Sequence, residues 1–541
     1  MASQKPNSKS EKAAPKTVKK STSFSTANFS RWYPIIIVLL SVLLYSRTIH
    51  YQYVKMDDTD LIVDNEVFIK HIKNLPQAFK QSCFEIPGQL TDNKSYYRPI
   101  LIVSFMIDAQ VHGVRSSGTY HFFNLLYHII ACILLYYLLV KLNVNKELAL
   151  ALSIIFALHP ANVHAVSWIP GRNDILLAIF TLLSFSWLID YYRSNDSKFL
   201  SLHLLAFALA LFTKESGILL LILYYLFMLL WERDVLFYKR KILLPIGYLA
   251  ISLIWFFARR AVMHGQESLA TGGSLVPIII QNLPYLFLYI GKVLLPINLN
   301  VMPGVNAIAI VLGVLSFACL GILFFFVKDR RKAIFSIFWF FILLAPTLLV
   351  PELPAYEHRD YLPLIGLMLG ISQVSFLITY AFPKKKTTYA FIAISVIYFI
   401  ISSLRVPVFA NRVDFWTDGT EGTPFVASAC INVGQLYQQN FEHEKDPNAL
   451  KLAGEWTKKG LDEDSTTLRG NNNYGAFLYF NGKKDEAAKY FQKEIKFHPT
   501  NSDPYKNMGI YYREKGEPEK SVYYWKKLIC QGQYYTVLRV S

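Results

Sequence analysis

Between residues 34 and 406, long blocks of apolar residues alternate with short polar loops, and most blocks are apolar all round rather than along one stripe. A helix of that kind has to face lipid or be wholly buried. The pattern therefore predicts eleven membrane spans, at about residues 34–45, 120–142, 147–159, 174–192, 199–212, 217–231, 242–258, 307–327, 333–350, 361–382 and 389–406. Several fall short of the roughly 20 residues of a perpendicular span, which tilted neighbours and polar helix ends accommodate in a bundle. The first is read as an anchor and not a cleaved signal peptide, because its basic leader is long and no small-residue cleavage site follows. A further stretch, 275–295, is apolar enough to span but carries Pro277, Pro284 and a Gln281-Asn282 interruption. If it lies along the membrane, the basic clusters at 239–241, 328–332 and 384–386 all share the side of the basic N-terminus, as the positive-inside rule asks.

Past residue 410 the period changes. Gly475, Gly482, Ala487 and Phe491 recur 34 residues later as Gly509, Gly516, Ser521 and Trp525, the spacing of tetratricopeptide helix pairs. The small residues are expected to let paired helices approach, with Phe491 and Trp525 filling gaps between successive units. A degenerate unit with Val433, Gly434, Ala449 and Ala453 precedes them. The expected organisation is a disordered basic tail at 1–31, a membrane domain at 32–410 and an outer-side repeat domain at 411–541: an all-α polytopic membrane bundle with a C-terminal α-solenoid.

Composition agrees with a lipid setting. Of 541 residues, 53% are hydrophobic and 17% charged. The net charge of +17 would suggest nucleic acid in a soluble chain. Here residues 1–31 hold seven basic residues against one acid, residues 411–541 hold eighteen against seventeen, and the rest lies in loops between apolar blocks. That is the pattern of orientation signals, so nucleic acid is excluded as a partner. The five cysteines show no metal or disulfide spacing.

The polar chemistry gathers in loops that this topology puts on the outer face. Asp57 and Asp58 directly follow the first span, where paired acids are costly. Tyr97-Arg98-Pro99 opens a surface helix at 101–111, and His121, Asn124 and His128 share one face of the next helix, as a metal face or, more often, a polar seam. The loop from His159 through His164 and Trp168 to Arg172 and Asp174 is richer than a connector needs. Lys214-Glu215 breaks a span, Arg259-Arg260 marks another boundary, and Glu357-His358-Arg359-Asp360-Tyr361 sits at a third. Cations at this density suit a phosphate held at the membrane surface, and a carboxylate beside them can serve as a general base.

These residues, in this order and with repeats at this end, resemble the TMTC family of transmembrane and tetratricopeptide-repeat O-mannosyltransferases, of the GT-C membrane glycosyltransferase class. The resemblance covers roughly residues 32–541. It implies a GT-C bundle, a polyprenyl-phosphate-linked sugar donor, a polypeptide hydroxyl acceptor and inversion at the anomeric carbon. It places the base at Asp57, with Asp58 orienting the base or the acceptor. Arg359, Arg98, Arg172 and Lys214 are the expected phosphate cations, and His121, His128, His159, Asp174, Glu215, Glu357 and Tyr361 are further site candidates. No metal cofactor is expected. Two departures stand out. His164 occupies a position where the family usually has an acid, and the repeat array is short, which points to a bacterial relative in the cytoplasmic membrane, with the endoplasmic reticulum as the alternative. Asn93-Lys94-Ser95 would be a glycosylation acceptor in the second case.

Two other classes compete. A transporter should show an internal repeat and a midplane site, and a scaffold would use the repeats to hold clients without chemistry.

Overall fold

The computed structural model describes residues 30–86, 96–232, 242–263, 275–349, 355–379, 385–421 and 425–530. The expected disordered tail and the Asn93-Lys94-Ser95 triplet fall outside these residues, apart from Ser30 and Arg31. Among the described residues every regular element is helical, and the only extended pairing is an isolated antiparallel bridge between Val327 and Val374. Lipid offers no hydrogen-bond partner to a bare backbone, so helices are the expected outcome for a chain this apolar.

The principal membrane-part helices are α1 (Tyr33–Tyr45), α2 (Pro99–His112), α3 (Ser117–Lys141), α4 (Lys146–Leu158), the short α5 (Asn162–Ser167), α6 (Arg172–Ser194), α7 (Ser197–Thr213), α8 (Leu220–Phe227), α9 (Leu243–Met263), α10 (Leu275–Leu294), α11 (Ala307–Phe325), α12 (Arg330–Leu348), α13 (Tyr361–Ile371) and α14 (Lys385–Arg405). Their ends follow local chemistry. Asn145, Asp196, Asn306 and Asp329 accept backbone N–H groups at the starts of α4, α7, α11 and α12, which satisfies donors that a helix start leaves open.

Among the described residues nine helices are long and apolar enough to cross a membrane, and the chain is an integral membrane protein. This differs from the eleven expected spans in two ways. Segments 147–159 and 199–212 form α4 and α7, and the described part of 361–382 forms α13 and a short helix at Ser375–Thr379; none of these is long enough to be among the nine. His159 turns extended at the end of α4, ahead of Pro160, and Lys214 does the same after α7. Conversely, residues 276–294 do reach span length. The polar interruption in that helix has a use: Asn282 donates to the Leu348 carbonyl at the end of α12, 2.9 Å.

On the expected outer side, residues between α1 and α2 build a small apolar core of their own. Leu61, Ile62, Phe68, Ile69 and Phe84 pack on Leu101, Phe105 and Met106 of α2. The loop that begins at Asp57 is therefore anchored at both ends.

The C-terminal part opens with α15 (Arg412–Gly419) and continues as three helix pairs: α16 (Val426–Glu444) with α17 (Pro447–Glu463), α18 (Gly470–Phe480) with α19 (Lys484–Phe497), and α20 (Asp503–Glu514) with α21 (Pro518–Cys530). The 34-residue register has a direct packing cause. A Cβ at Gly475 would stand 2.6 Å from the Phe491 ring, and one at Gly509 would stand 2.8 Å from Trp525. Phe491 and Trp525 thus lie across the glycine within their own unit, a role beside the expected filling of gaps between units. Phe491 also clusters with Met508 and Tyr511 of the next unit. The residue 410 boundary is not a physical break. Asp418 pairs with Arg405 at 2.7 Å, and Ala429, Val433 and Leu436 share the core of the membrane helices.

Candidate functional site

Asp57 and Asp58 are adjacent but not alike. Asp58 is 1% exposed, and its two oxygens accept the Val54 N–H at 2.6 Å and the Met56 N–H at 2.8 Å. It holds the turn. Asp57 is half-buried at the mouth of that turn. Burial pushes its carboxyl up to about 6; Arg98 opposes the shift, and the Asp58 and Asp60 charges add to it. A carboxylate near 6 is a base that is ionised at neutral pH yet basic enough to take a proton.

Arg98 sits at the start of α2, over the Tyr96 ring at 4.3 Å, and pairs with Glu215 at 3.0 Å. Glu215 also accepts the Tyr97 N–H at 3.3 Å. The break after α7 explains how two neighbouring charges reach different partners. Lys214 is extended, with φ −153° and ψ 139°, so its amine turns to Asp174, 2.6 Å away, while Glu215 turns to Arg98. Lys214 and Glu215 are therefore not an ion pair with each other.

Arg359 lies in a short turn, Glu357–Asp360, between α12 and α13. Among the described residues it forms no ion pair; its guanidinium lies 5.2 Å from the centre of the Tyr356 ring. Three cations converge here. Burial lowers the Lys214 amine, Asp174 opposes this, and the charges of Arg98 and Arg359 press it down further. The same set surrounds His358, whose ring is held far below its usual range by burial first, then by His164, Lys214, Arg359 and Arg98. Tyr356 ties Asp57 to the cluster: burial raises its phenol, and the Asp57 and Arg359 charges follow as the next influences. Asp57, Arg98, Lys214 and Arg359 thus share one region, assembled from loops after α1, before α2, after α7 and before α13.

Other expected site residues are fasteners. Arg172 is wholly buried, pairs with Asp108 of α2 at 2.5 Å, and donates to Asn124 Oδ1 at 2.6 Å and the Tyr120 carbonyl at 2.8 Å. It is spoken for, which corrects its expected place among the phosphate cations. His128 contacts the Tyr361 hydroxyl at 2.8 Å and the Ala157 carbonyl at 3.1 Å, and His121 packs edge-on against Tyr51. The stripe on α3 is accordingly a polar seam. His159 Nε2 meets the Val293 carbonyl at 2.9 Å. Glu357 is buried against Lys292 at 2.6 Å and accepts the Asn300 N–H at 2.9 Å. His164, where an acid was the family expectation, packs edge-on against Trp168, Tyr356 and His358 and tilted against Phe409. Sequence reasoning missed Asp108, Tyr356, Lys292 and Arg405. Asp108 could have been found as an acid inside an apolar stretch. Among the described residues no group of three or more His, Cys, Asp or Glu is placed to hold a metal ion.

The family model for dolichyl-phosphate-mannose-protein mannosyltransferase matches residues 106–264, a stretch that includes Asp174, Lys214 and Glu215 but not Asp57, Arg98 or Arg359. The chain is similar to protein O-mannosyl-transferase TMTC1 of Mus musculus, 30% identical over 194 residues, covering 33% of this chain and 20% of that one. It is also similar to protein O-mannosyl-transferase F38B6.6 of Caenorhabditis elegans, 27% identical over 34% of this chain and 26% of that one. The matched region thus spans about a quarter or less of these relatives' length. Among solved structures, an Archaeoglobus fulgidus oligosaccharyltransferase tethered with an acceptor peptide aligns over 74% of this chain and 58% of its own, with a TM-score of 0.42 and 13% identity.

Proposed function

We propose that this chain is a GT-C membrane glycosyltransferase that moves a sugar, mannose by its likeness to the relatives above, from a polyprenyl-phosphate carrier to hydroxyl groups of proteins on the outer, periplasmic or lumenal, face. One observation carries the reading: a half-buried carboxylate raised by burial feels the charge of Arg98, which in turn bears with Arg359 on Lys214, so that an acid and three cations from separate loops are within electrostatic reach of one another. A lipid-linked phosphate cannot leave the bilayer, so its sugar must react at that boundary.

In this reading Asp57 takes the acceptor hydroxyl proton as the hydroxyl oxygen bonds to the anomeric carbon. The bond from that carbon to the phosphate oxygen breaks, and the phosphate keeps the electron pair. Attack from the face opposite the phosphate inverts the centre, and no sugar-enzyme bond is needed. Fixed cations stabilise the charge developing on the leaving phosphate. Arg98 and Lys214 are each matched by an acid, so the net positive charge available to the phosphate comes from Arg359. Asp58 orients Asp57 by holding its turn. No metal is invoked.

Arg359→Ala tests the phosphate assignment. Loss of one charge-assisted hydrogen bond, about 1.5–3 kcal/mol, should weaken donor binding and slow transfer by roughly 10- to 150-fold, read in a donor-binding and transfer assay in detergent. Unchanged affinity and rate would remove Arg359 from the site.

The repeats are read as presenting extended acceptors to Asp57. In support, the Arg469 charge at the start of α18 bears on Asp60 and Lys55, and the Arg412 charge on Asp58 and Lys55. Because α15 and α16 belong to the membrane core, the informative truncation follows Glu463 and removes only the last two helix pairs. Transfer to a short free peptide should persist while transfer to full-length protein acceptors falls; equal loss on both would make the repeats a stabilising element only.

A further inference from the structure

At the end of α12 remote from Arg359 lies a cavity of about 600 Å³, lined by the α3–α4 turn, the α11–α12 turn and the chain after α13. Its polar lining includes Lys328, Arg330, Arg331, Lys332, Asn145 and Gln373. The wall is built, not incidental. The Lys328 N–H donates to the Gln373 carbonyl at 2.9 Å, and the Ser375 N–H donates to the Phe326 carbonyl at 2.8 Å, on either side of the Val327–Val374 bridge.

The charges there are unbalanced. Asp329, the acid among these residues, is occupied as the cap of α12, accepting the N–H groups of Arg331 at 3.1 Å and Lys332 at 3.4 Å. Lys332 lies 5.0 Å from the centre of the Trp231 ring. Lys328, Arg330 and Arg331 are exposed, and among the described residues they form no ion pair. Directly beside this rim runs an apolar crevice of about 100 Å³, lined by Val327, Ala333, Val374, Leu323 and Phe340. Each of the first three is a chain neighbour of a cavity residue, so polar rim and apolar crevice are continuous.

We propose that this cavity binds the phosphate headgroup of an anionic phospholipid in the leaflet at the end of α12 remote from Arg359, with an acyl chain entering the crevice. The helix α12, about 28 Å long at 1.5 Å per residue, separates the two ends. A free phosphate would use the rim alone, whereas the adjoining crevice suits a headgroup that carries a chain. The inference does not depend on the transferase reading.

The test uses the full chain in neutral detergent, where no bilayer surface potential exists, with short-chain phosphatidylglycerol, phosphatidylcholine and inorganic phosphate as probes, read by native mass spectrometry. The wild type should retain phosphatidylglycerol in preference to phosphatidylcholine and to inorganic phosphate. Arg330→Gln/Arg331→Gln should weaken phosphatidylglycerol binding by about 10-fold or more, the loss of at least one charge-assisted hydrogen bond to the phosphate. Arg193→Gln/Lys198→Gln, on the α6–α7 turn of the same side, should leave it unchanged, and the unfolding temperatures of both variants should match the wild type. Equal loss in both variants would reduce the effect to general surface charge. Equal retention of inorganic phosphate, or no preference over phosphatidylcholine, would overturn the lipid assignment.

Discussion

Asp57→Asn is expected to lower turnover by about 10²- to 10⁴-fold, the usual worth of a positioned general base, while donor binding stays near that of the wild type. The amide fills the same space but cannot take a proton. The pH profile gives an independent reading of the same group. With its carboxyl raised to about 6 by burial, Asp57 is ionised above that pH and protonated below it, so wild-type transfer should climb with pH through a midpoint near 6 and then level. A base active only when deprotonated requires that sign. In Asp57→Asn the residual rate should lose this limb. Wild-type turnover in the variant, or a limb that survives in it, would take Asp57 out of the mechanism. Asp58→Asn should behave differently, loosening the turn that Asp58 holds through the Val54 and Met56 N–H groups without abolishing the limb.

The largest expected stability effect is at Arg172, not in the cation cluster. Arg172→Gln would leave Asp108 buried at 0% exposure without its ion-pair partner, and removing one half of a buried pair costs about 3–5 kcal/mol. Chemical or thermal unfolding in detergent should show this as a large loss. Arg172→Met/Asp108→Leu should recover most of it, since no orphaned charge remains. In whatever fraction of Arg172→Gln stays folded, donor binding should be ordinary. Weakened donor binding in a fully folded variant would return Arg172 to the phosphate site.

That outcome also marks how far the sequence could be read. The helices were legible because apolar blocks and their polar stops are local signals: Asn145 begins α4 and His159 ends it. The repeat register was legible because Gly475 and Gly509 each make room for one ring at a fixed offset. Asp57, Arg98, Lys214 and Arg359 were legible as charges at the ends of apolar blocks. What could not be read was which charges cancel. Glu215 meets Arg98 across 117 positions, Asp174 meets Lys214 across 40, and Arg172 looks like its neighbours until Asp108 is brought against it. Pairing is a tertiary property, so from the sequence Arg172 stood with Arg98 and Lys214 as a possible helper of Arg359. The histidine stripe on α3 was legible as a polar seam, because side chains at three- and four-residue spacing share a face, but its partner was not: only the packed helices bring His128 to the hydroxyl of Tyr361.

A lipid-linked donor reacting with inversion at the Asp57 end of the bundle leaves a stereochemical signature in the product. The most direct measurement supplies purified protein with polyprenyl-phosphate β-mannose and a serine- and threonine-containing peptide, and determines by NMR the anomeric configuration of the product. The expected product is α-linked mannose on a hydroxyl, formed by the wild type, absent with a nucleotide-linked mannose donor, and reduced at least a hundredfold in Asp57→Asn. A β-linked product, or transfer that proceeds equally from the nucleotide sugar, would contradict it.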